Sequence, residues 1–522
     1  MSLSLNEVKY DVIKYSELGY PSREISKIMG ISKSSINDFL AKKTHKEFWE
    51  QYTPVASGTI KEPDEFRGKL KGKRFVFTSA QNNTYLHERF WSALQHYCNF
   101  NEAELYVSTF HYNKSGFQNG TSGDIWYDPK IANHLLDHAV EVADGLVFCG
   151  ELNILPTAVN PLSGLQTYTK TDSAIIPHAK VALQSVPRAK GSDPKFLYTT
   201  GAVTLRNYVQ MKAGQKASFH HVFGALVVEV DDEGDWFVRQ LNAEDDGSFY
   251  DLLHRYTANG VESVDRVLAV NWGDIHAEKI DEEVANVSFG DSDESILDVL
   301  KPSYQFVHDV MDFTSRNHHN IGDHYFRFKS YVSGQDLVAN DLYDTGNVLQ
   351  GMNRDFCETV VVESNHNQAL EKWLKNADYR NDPANAVTFL ELQLAAYKAM
   401  ERGMHFNPLE HALCESHELI NTVFLRVDDS YVLEGIEFGS HGHLGNNGGR
   451  GSIQAYRVLG NKYNIGHSHS AAIADGVYQA GTCSQMDMGY NVGNTSWSHS
   501  HIITYPDGKR QIITIRNGKW RA

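Results

Sequence analysis

The sequence predicts an α/β protein with α+β elements. It divides into a helical unit over 1–50, a linker over 51–73, an α/β domain over 74–262 and a β-rich domain flanked by helices over 263–522. Three observations carry this. Apolar residues recur at helical spacing near the N-terminus, strand and helix patterns alternate from RFVFTSAQ onward, and beyond Val267 several short apolar runs give way to Asp, His or Asn. A chain of 522 residues, 41% of them hydrophobic, can bury several cores.

The first segment, EVKYDVIKYSELGYPSREISKIMGISKSSINDFLAKKTHK, breaks at Gly19 and again at Gly30-Ile31-Ser32, which gives three short helices. The second and third, at about 21–29 and 33–43, are joined where Gly30 can take a positive φ and Ser32 can cap the next helix. Ile25, Met29, Ile31, Ile36 and Leu40 form the expected core. This pattern resembles a helix-turn-helix DNA-binding unit, and the resemblance implies that Lys33, Ser34, Ser35, Asn37, Lys42 and Lys43 face DNA. Residues 1–48 carry eight Lys/Arg against six Asp/Glu, a local +2 in a chain of net charge −17. A small helical protein-interaction module is the other reading.

After a polar connector, RFVFTSAQ reads as a buried strand, YLHERFWSALQHY as a helix, AELYVSTF as a strand, PKIANHLLDHAVEVA as a helix and GLVFCGEL as a strand. That alternation predicts a parallel sheet. No phosphate-binding G-x-G-x-x-G follows the first strand, so no nucleotide site is expected there. GALVVEVDDEGDWFVRQL predicts a hairpin around Asp232-Glu233-Gly234. The tail predicts two strands around Pro506-Asp507-Gly508 and a further turn at Asn517-Gly518. Its Lys509, Arg510, Arg516, Lys519 and Arg521 either lead a phosphate backbone or solubilise an edge strand.

Composition excludes several classes. No apolar stretch is long enough to span a bilayer and the start lacks a signal peptide's apolar core, so a cytoplasmic protein without a membrane partner is expected. The five cysteines show no CxxC spacing and read as ordinary buried thiols rather than a zinc ribbon or disulfide framework. The strong negative charge opposes binding of polyanions over the whole surface, although a local basic face or bound metal reverses this. Self-association as a homo-oligomer stays open.

From Val267 onward five polar clusters follow in order. They are Asp274-Ile275-His276, then Asp309 with Asp312 after YQFV, and Ser364-Asn365-His366-Asn367 after TVVVE. Ser440-His441-Gly442-His443 and Gly466-His467-Ser468-His469 complete the series. Each alone is more often a surface or structural group than a ligand; their order carries the weight. Oxygen and imidazole donors without thiolate suit manganese or iron, and also zinc.

The order resembles the calcineurin-like metallophosphoesterase superfamily over about 263–470, with the pattern D-x-H, G-D-x-x-[DE], G-N-H-[DE], H-G-x and G-H-x-H. His308 stands where that pattern has Gly, and Ser364 and Asn367 flank Asn365-His366 where it has Gly and an acid. The resemblance implies a β-sandwich flanked by helices and two divalent cations, manganese foremost, with iron, zinc or magnesium as alternatives. It places Asp274, His276, Asp309 and His469 on one ion and Asp309, Asn365, His441 and His467 on the other, with Asp309 bridging. His366 would protonate the leaving oxygen or stabilise its charge. Asp309 is preferred over Asp323 of Gly322-Asp323 because it ends an apolar run. His443 competes with His441. His499 and His501 read as a structural or substrate-facing pair, and Arg316, His318 and His319 as phosphate contacts or a solvated loop.

Joined to the N-terminal unit, these residues predict a metal-dependent deoxyribonuclease similar to nucleases of the double-strand-break-repair type. The layout looks like phage-encoded DNA-processing proteins, which would place it in the host cytoplasm. A small-molecule or nucleotide phosphoesterase, and a DNA-binding regulator with an inactive phosphoesterase domain, are the alternatives.

Overall fold

The computed structural model of the chain describes residues 11–16, 18–41, 55–56, 68–112, 125–317 and 320–522. Near the N-terminus, helix Ser22–Met29 ends at Gly30, whose φ of 64° lies in the left-handed region that glycine enters without steric cost. Helix Lys33–Ala41 follows, with Ser32 Oγ accepting the Ser35 N–H at 3.1 Å. Ile25, Met29, Ile31 and Ile36 point inward, as their spacing predicts, but they share one core with Val76, Phe90, Leu94 and Tyr97 of the following region. Polar ties reinforce that docking. Buried Lys14 pairs with Glu88 at 2.6 Å and Asp128 at 3.3 Å, and the Arg206 N–H donates to the Tyr20 hydroxyl at 2.9 Å. Lys33, Ser34 and Asn37 remain exposed and Ser35 half-exposed; Lys42 and Lys43 lie outside the described residues.

A four-stranded sheet comes next, in the order Trp236–Asn242, Gly224–Val230, Arg74–Gln81, Glu104–Phe110. The first three strands are antiparallel, formed by the expected hairpin, and only the last pair is parallel. Alternation splits its side chains cleanly. Val76 and Val227 face helix Glu88–Asn101, while Phe75, Phe77 and Val228 enter the core on the opposite side. The helix predicted over PKIANHLLDHAVEVA is instead a 3₁₀ turn, Pro129–His134, and a strand, Ala139–Ala143. Val140 pairs with Phe148 and Glu141 with Val147 across the turn at Gly145, Val142 lies at a bulge in this ladder, and that pairing outweighs the helical spacing.

Two larger sheets form a sandwich. One has six strands, in the order Thr422–Phe424, Glu358–Val361, Tyr304–Val307, Ala269–Asn271, Ser500–Thr504, Arg510–Thr514, the first four parallel. The other has ten. It runs from Val432–Leu433 through Ile436–Glu437, Lys462–Ile465, Val477–Gln479 and Ala472–Ala474 to Leu183–Val186, and on to Ala139–Ala143. The regions expected as 74–262 and 263–522 are thus joined by one ladder, Ile473 opposite Leu183 and Ala472 opposite Gln184. Phe306 stacks on Phe438 between the sheets at 4.4 Å. The outer face of the six-stranded sheet, with Val270, Val307 and Val361, is covered by Leu349, Leu370, Trp373 and Leu413 from helices. The mixed α/β class is as the sequence predicts; the sandwich, expected within 263–522, takes five strands of its ten-stranded sheet from 139–199.

Four cysteines are buried and free, but Cys414 is exposed, unlike the buried thiol expected. The basic tail turns inward: Arg510 lies over Tyr478, Arg516 over Trp236, and Lys519 pairs with Asp231 and Glu233. Among the described residues no helix is long and apolar enough to cross a membrane.

Candidate metal centre

The polar clusters meet where the parallel strands of the six-stranded sheet end. Strand Ala269–Asn271 leads to Asp274 and His276, Tyr304–Val307 to Asp309, and Glu358–Val361 to Asn365 and His366. Lys462–Ile465 of the facing sheet leads to His467 and His469. Strand ends in such sheets leave loops free to converge while their starts stay rigid. His276, Asp309, His467 and His469 all have φ between 42° and 74°. Left-handed backbone at four non-glycine residues costs energy, and its concentration here marks a functional site held in place by its surroundings.

Single ligand atoms of Asp274, His276, Asp309 and His469 lie within 4.8 Å of one another, all buried. His276 Nε2 and His469 Nε2 are 3.1 Å apart, and His469 Nε2 is 3.2 Å from Asp274 Oδ2. On the other side of Asp309, His441 Nε2 stands 3.2 Å from Oδ2, and His441 Nδ1 is 3.9 Å from Asp274 Oδ1. Spacings near 3 Å are what one cation imposes on neighbouring ligands held at about 2.1 Å. Both Asp274 oxygens, both His441 ring nitrogens, His469 Nδ1 and Asn365 Oδ1 are buried without an aligned hydrogen bond. Buried polar atoms left in this state are costly, and a bound cation satisfies them together. The residues therefore fit a metal. His467 is half-buried, its ring 5.2 Å from that of His441, outside the close group of four.

Charges compensate within the cluster. Burial pushes the Asp274 and Asp309 carboxyls up, but His441, with His469 for Asp274 and His366 for Asp309, holds both below their ordinary range. Burial pushes His276 down, yet Asp312, Asp309 and Asp274 together raise it. Burial leaves His469 lowered and brings His467 to about 4, so both rings are neutral at neutral pH, the form that can bind a metal.

Supporting groups explain the rest of the pattern. Asp312 Oδ1 lies 3.2 Å from His276 Nδ1 and orients that ring. Ser364 and Asn367, the departures around Asn365-His366, shape the turn into helix Asn367–Asn376: Ser364 Oγ accepts the Asn367 N–H at 3.2 Å. His308 is buried with its ring 5.5 Å from that of His441, and burial lowers it to about 4. Asp323 caps helix His324–Val332 and stays outside the cluster. Arg316 is tied to Asp382 and Asp336 at 2.6 Å, which makes it structural rather than a phosphate contact; His318 and His319 lie outside the described residues. His501 accepts the Gly273 N–H at 3.0 Å and contacts Ser288 Oγ, fixing the approach to Asp274. Glu278 accepts the N–H groups of Asp312 and Phe313 at 2.7 and 2.8 Å. Sequence reasoning missed Glu278. Its only signal is its position two residues beyond His276.

Gly466, first residue of G-H-x-H, is required by space: a Cβ there would meet Asp274 Oδ1 at 2.2 Å. Gly466→Ala is expected to displace that carboxylate and weaken metal binding by roughly 10–100-fold. Metal content of the variant after manganese loading checks this; a wild-type value would remove Asp274 from the site.

Fold and site define a mixed α/β protein with a buried His/Asp cluster able to hold metal ions. The chain belongs to the family of Protein A1 of Escherichia phage T5. It is 46% identical to that protein over 498 residues, which cover 92% of this chain and 89% of the relative. No protein-family model and no solved structure matches the chain.

Proposed function

We propose that the protein is a metal-dependent phosphodiesterase of the calcineurin-like type whose substrate is DNA. The observation that carries the reading is the close group of Asp274, His276, Asp309 and His469, with His441 across Asp309. Two divalent cations, when bound, supply Lewis acidity and an activated water for in-line attack on phosphorus. Asp274, His276, Asp309 and His469 would hold one, and Asp309, Asn365, His441 and His467 the other; all-oxygen-and-nitrogen donors favour manganese, with iron, zinc or magnesium as alternatives. Asp309, common to both sets, would be shared between them. His366 sits beside Asn365 with Nδ1 3.0 Å from the Asp312 carbonyl, oriented to give a proton to the leaving oxygen.

The exposed Lys33, Ser34 and Asn37 on the docked helical unit support DNA as substrate. Because that unit shares a core with the α/β body, surface substitution tests it better than deletion. Lys33→Ala with Asn37→Ala is expected to weaken cleavage of long duplex DNA roughly tenfold, with a smaller deficit at low salt. Hydrolysis of a nitrophenyl phosphodiester should not change. Purified protein is assayed on linear and circular DNA with manganese, magnesium or EDTA. Hydrolysis of the ester with DNA uncut under every metal would replace this reading with a small-molecule phosphoesterase.

A further inference from the structure

Helix Ala386–Glu401, AVTFLELQLAAYKAME, is apolar on two opposite faces. Phe389 and Leu392 are 5% and 6% exposed and pack into the core beneath. On the other side Val387, Leu390, Leu394 and Tyr397 are 69%, 46%, 54% and 66% exposed. A helix apolar all round is normally covered on every side, and four large apolar side chains in one exposed row on a soluble protein mark a contact surface.

The spacing says what covers it. Positions 387, 390, 394 and 397 alternate by three and four, the a and d positions of a heptad seam. Such a seam is self-complementary about a two-fold axis. In an antiparallel pair the a positions meet the d positions of the partner, so Val387 meets a second Tyr397 and Leu390 a second Leu394, each contact made twice. The flank agrees in charge. Glu391 and Lys398, both exposed, hold the e positions, which meet across an antiparallel pair; each side chain reaches back toward its own N-terminus and so toward the other. Glu391 therefore faces the second copy's Lys398, and Lys398 the second copy's Glu391. We propose that this helix is a two-fold dimer interface whose occupant is a second copy of this chain, a conclusion independent of the catalytic reading.

Sedimentation velocity on the full chain at micromolar concentration tests it. The wild type should sediment as a dimer. Leu390→Glu with Leu394→Glu should weaken dimerisation by roughly 10²–10³-fold, since each interface carries every added charge twice. Both residues are exposed, so the far-ultraviolet spectrum and melting temperature of the double variant should match the wild type. Glu391→Lys and Lys398→Glu should each weaken the dimer, and the double exchange Glu391→Lys with Lys398→Glu should restore it, an outcome only a self-pairing helix gives. A monomeric wild type, a dimer untouched by the Leu substitutions, or a double exchange that fails to restore it would overturn the proposal. Capture of a different protein on an intact monomer would do the same.

Discussion

Asp309→Asn is expected to remove both bound cations and reduce turnover by about 10³-fold or more, the largest loss of any single change in this protein. Asparagine is the informative replacement. Asp309 has a φ of 42°, which Asn tolerates better than Ala, so the variant removes charge while keeping the backbone. Its Oδ2 lies 3.2 Å from His441 Nε2 and 3.7 Å from His276 Nε2, so it stands between the two candidate positions. Only 1% exposed, it also raises the pKa of His276 and His441 beside it, against their burial. Metal analysis after manganese loading should fall from near two equivalents to well below one. Loss of a single equivalent, with the second retained at full affinity, would show that Asp309 belongs to one cation only.

The order of motifs made this cluster legible before any fold was known. Several of the clusters follow a short apolar run, as Asp309 follows YQFV and Asn365 follows TVVVE, and such a run ending in polar residues is a local signal that parallel strands bring to one edge. The turn at Gly30 and the cap at Ser32 were equally local. What local pattern could not reveal is pairing at a distance. Leu183 meets Ile473 across more than half of the chain, and neither strand carries a mark of the other. The helical unit's apolar face reads the same whether it closes on itself or docks on Phe90 and Leu94, so its fixed attachment was invisible. Glu278 and His501 act through backbone N–H groups, and an acceptor for a backbone donor leaves no spacing in the sequence.

His366→Ala is expected to keep its metal and lose turnover on DNA by roughly 10²–10⁴-fold, the usual worth of a general acid. The ring is held by protein contacts, and with His276 and Asp312 it forms a second buried trio whose ligand atoms lie within 4.8 Å of one another, so retention of metal by the variant is what separates an acid from a ligand. Its Nδ1 lies 3.0 Å from the Asp312 carbonyl and 3.3 Å from Asn317 Nδ2, so this nitrogen is engaged by the protein. Asn317 Nδ2 donates to the same carbonyl at 2.9 Å and fixes it in place. The exchangeable site for substrate is then Nε2. An acid is needed only when the departing oxygen is a poor leaving group. The deoxyribose alkoxide of DNA must be protonated as it leaves, whereas a nitrophenolate departs as the anion. The loss should therefore be large on DNA and shrink to about tenfold or less on a nitrophenyl phosphodiester. Equal losses on the two substrates would assign His366 a positioning role, and unchanged turnover on DNA would remove it from the reaction.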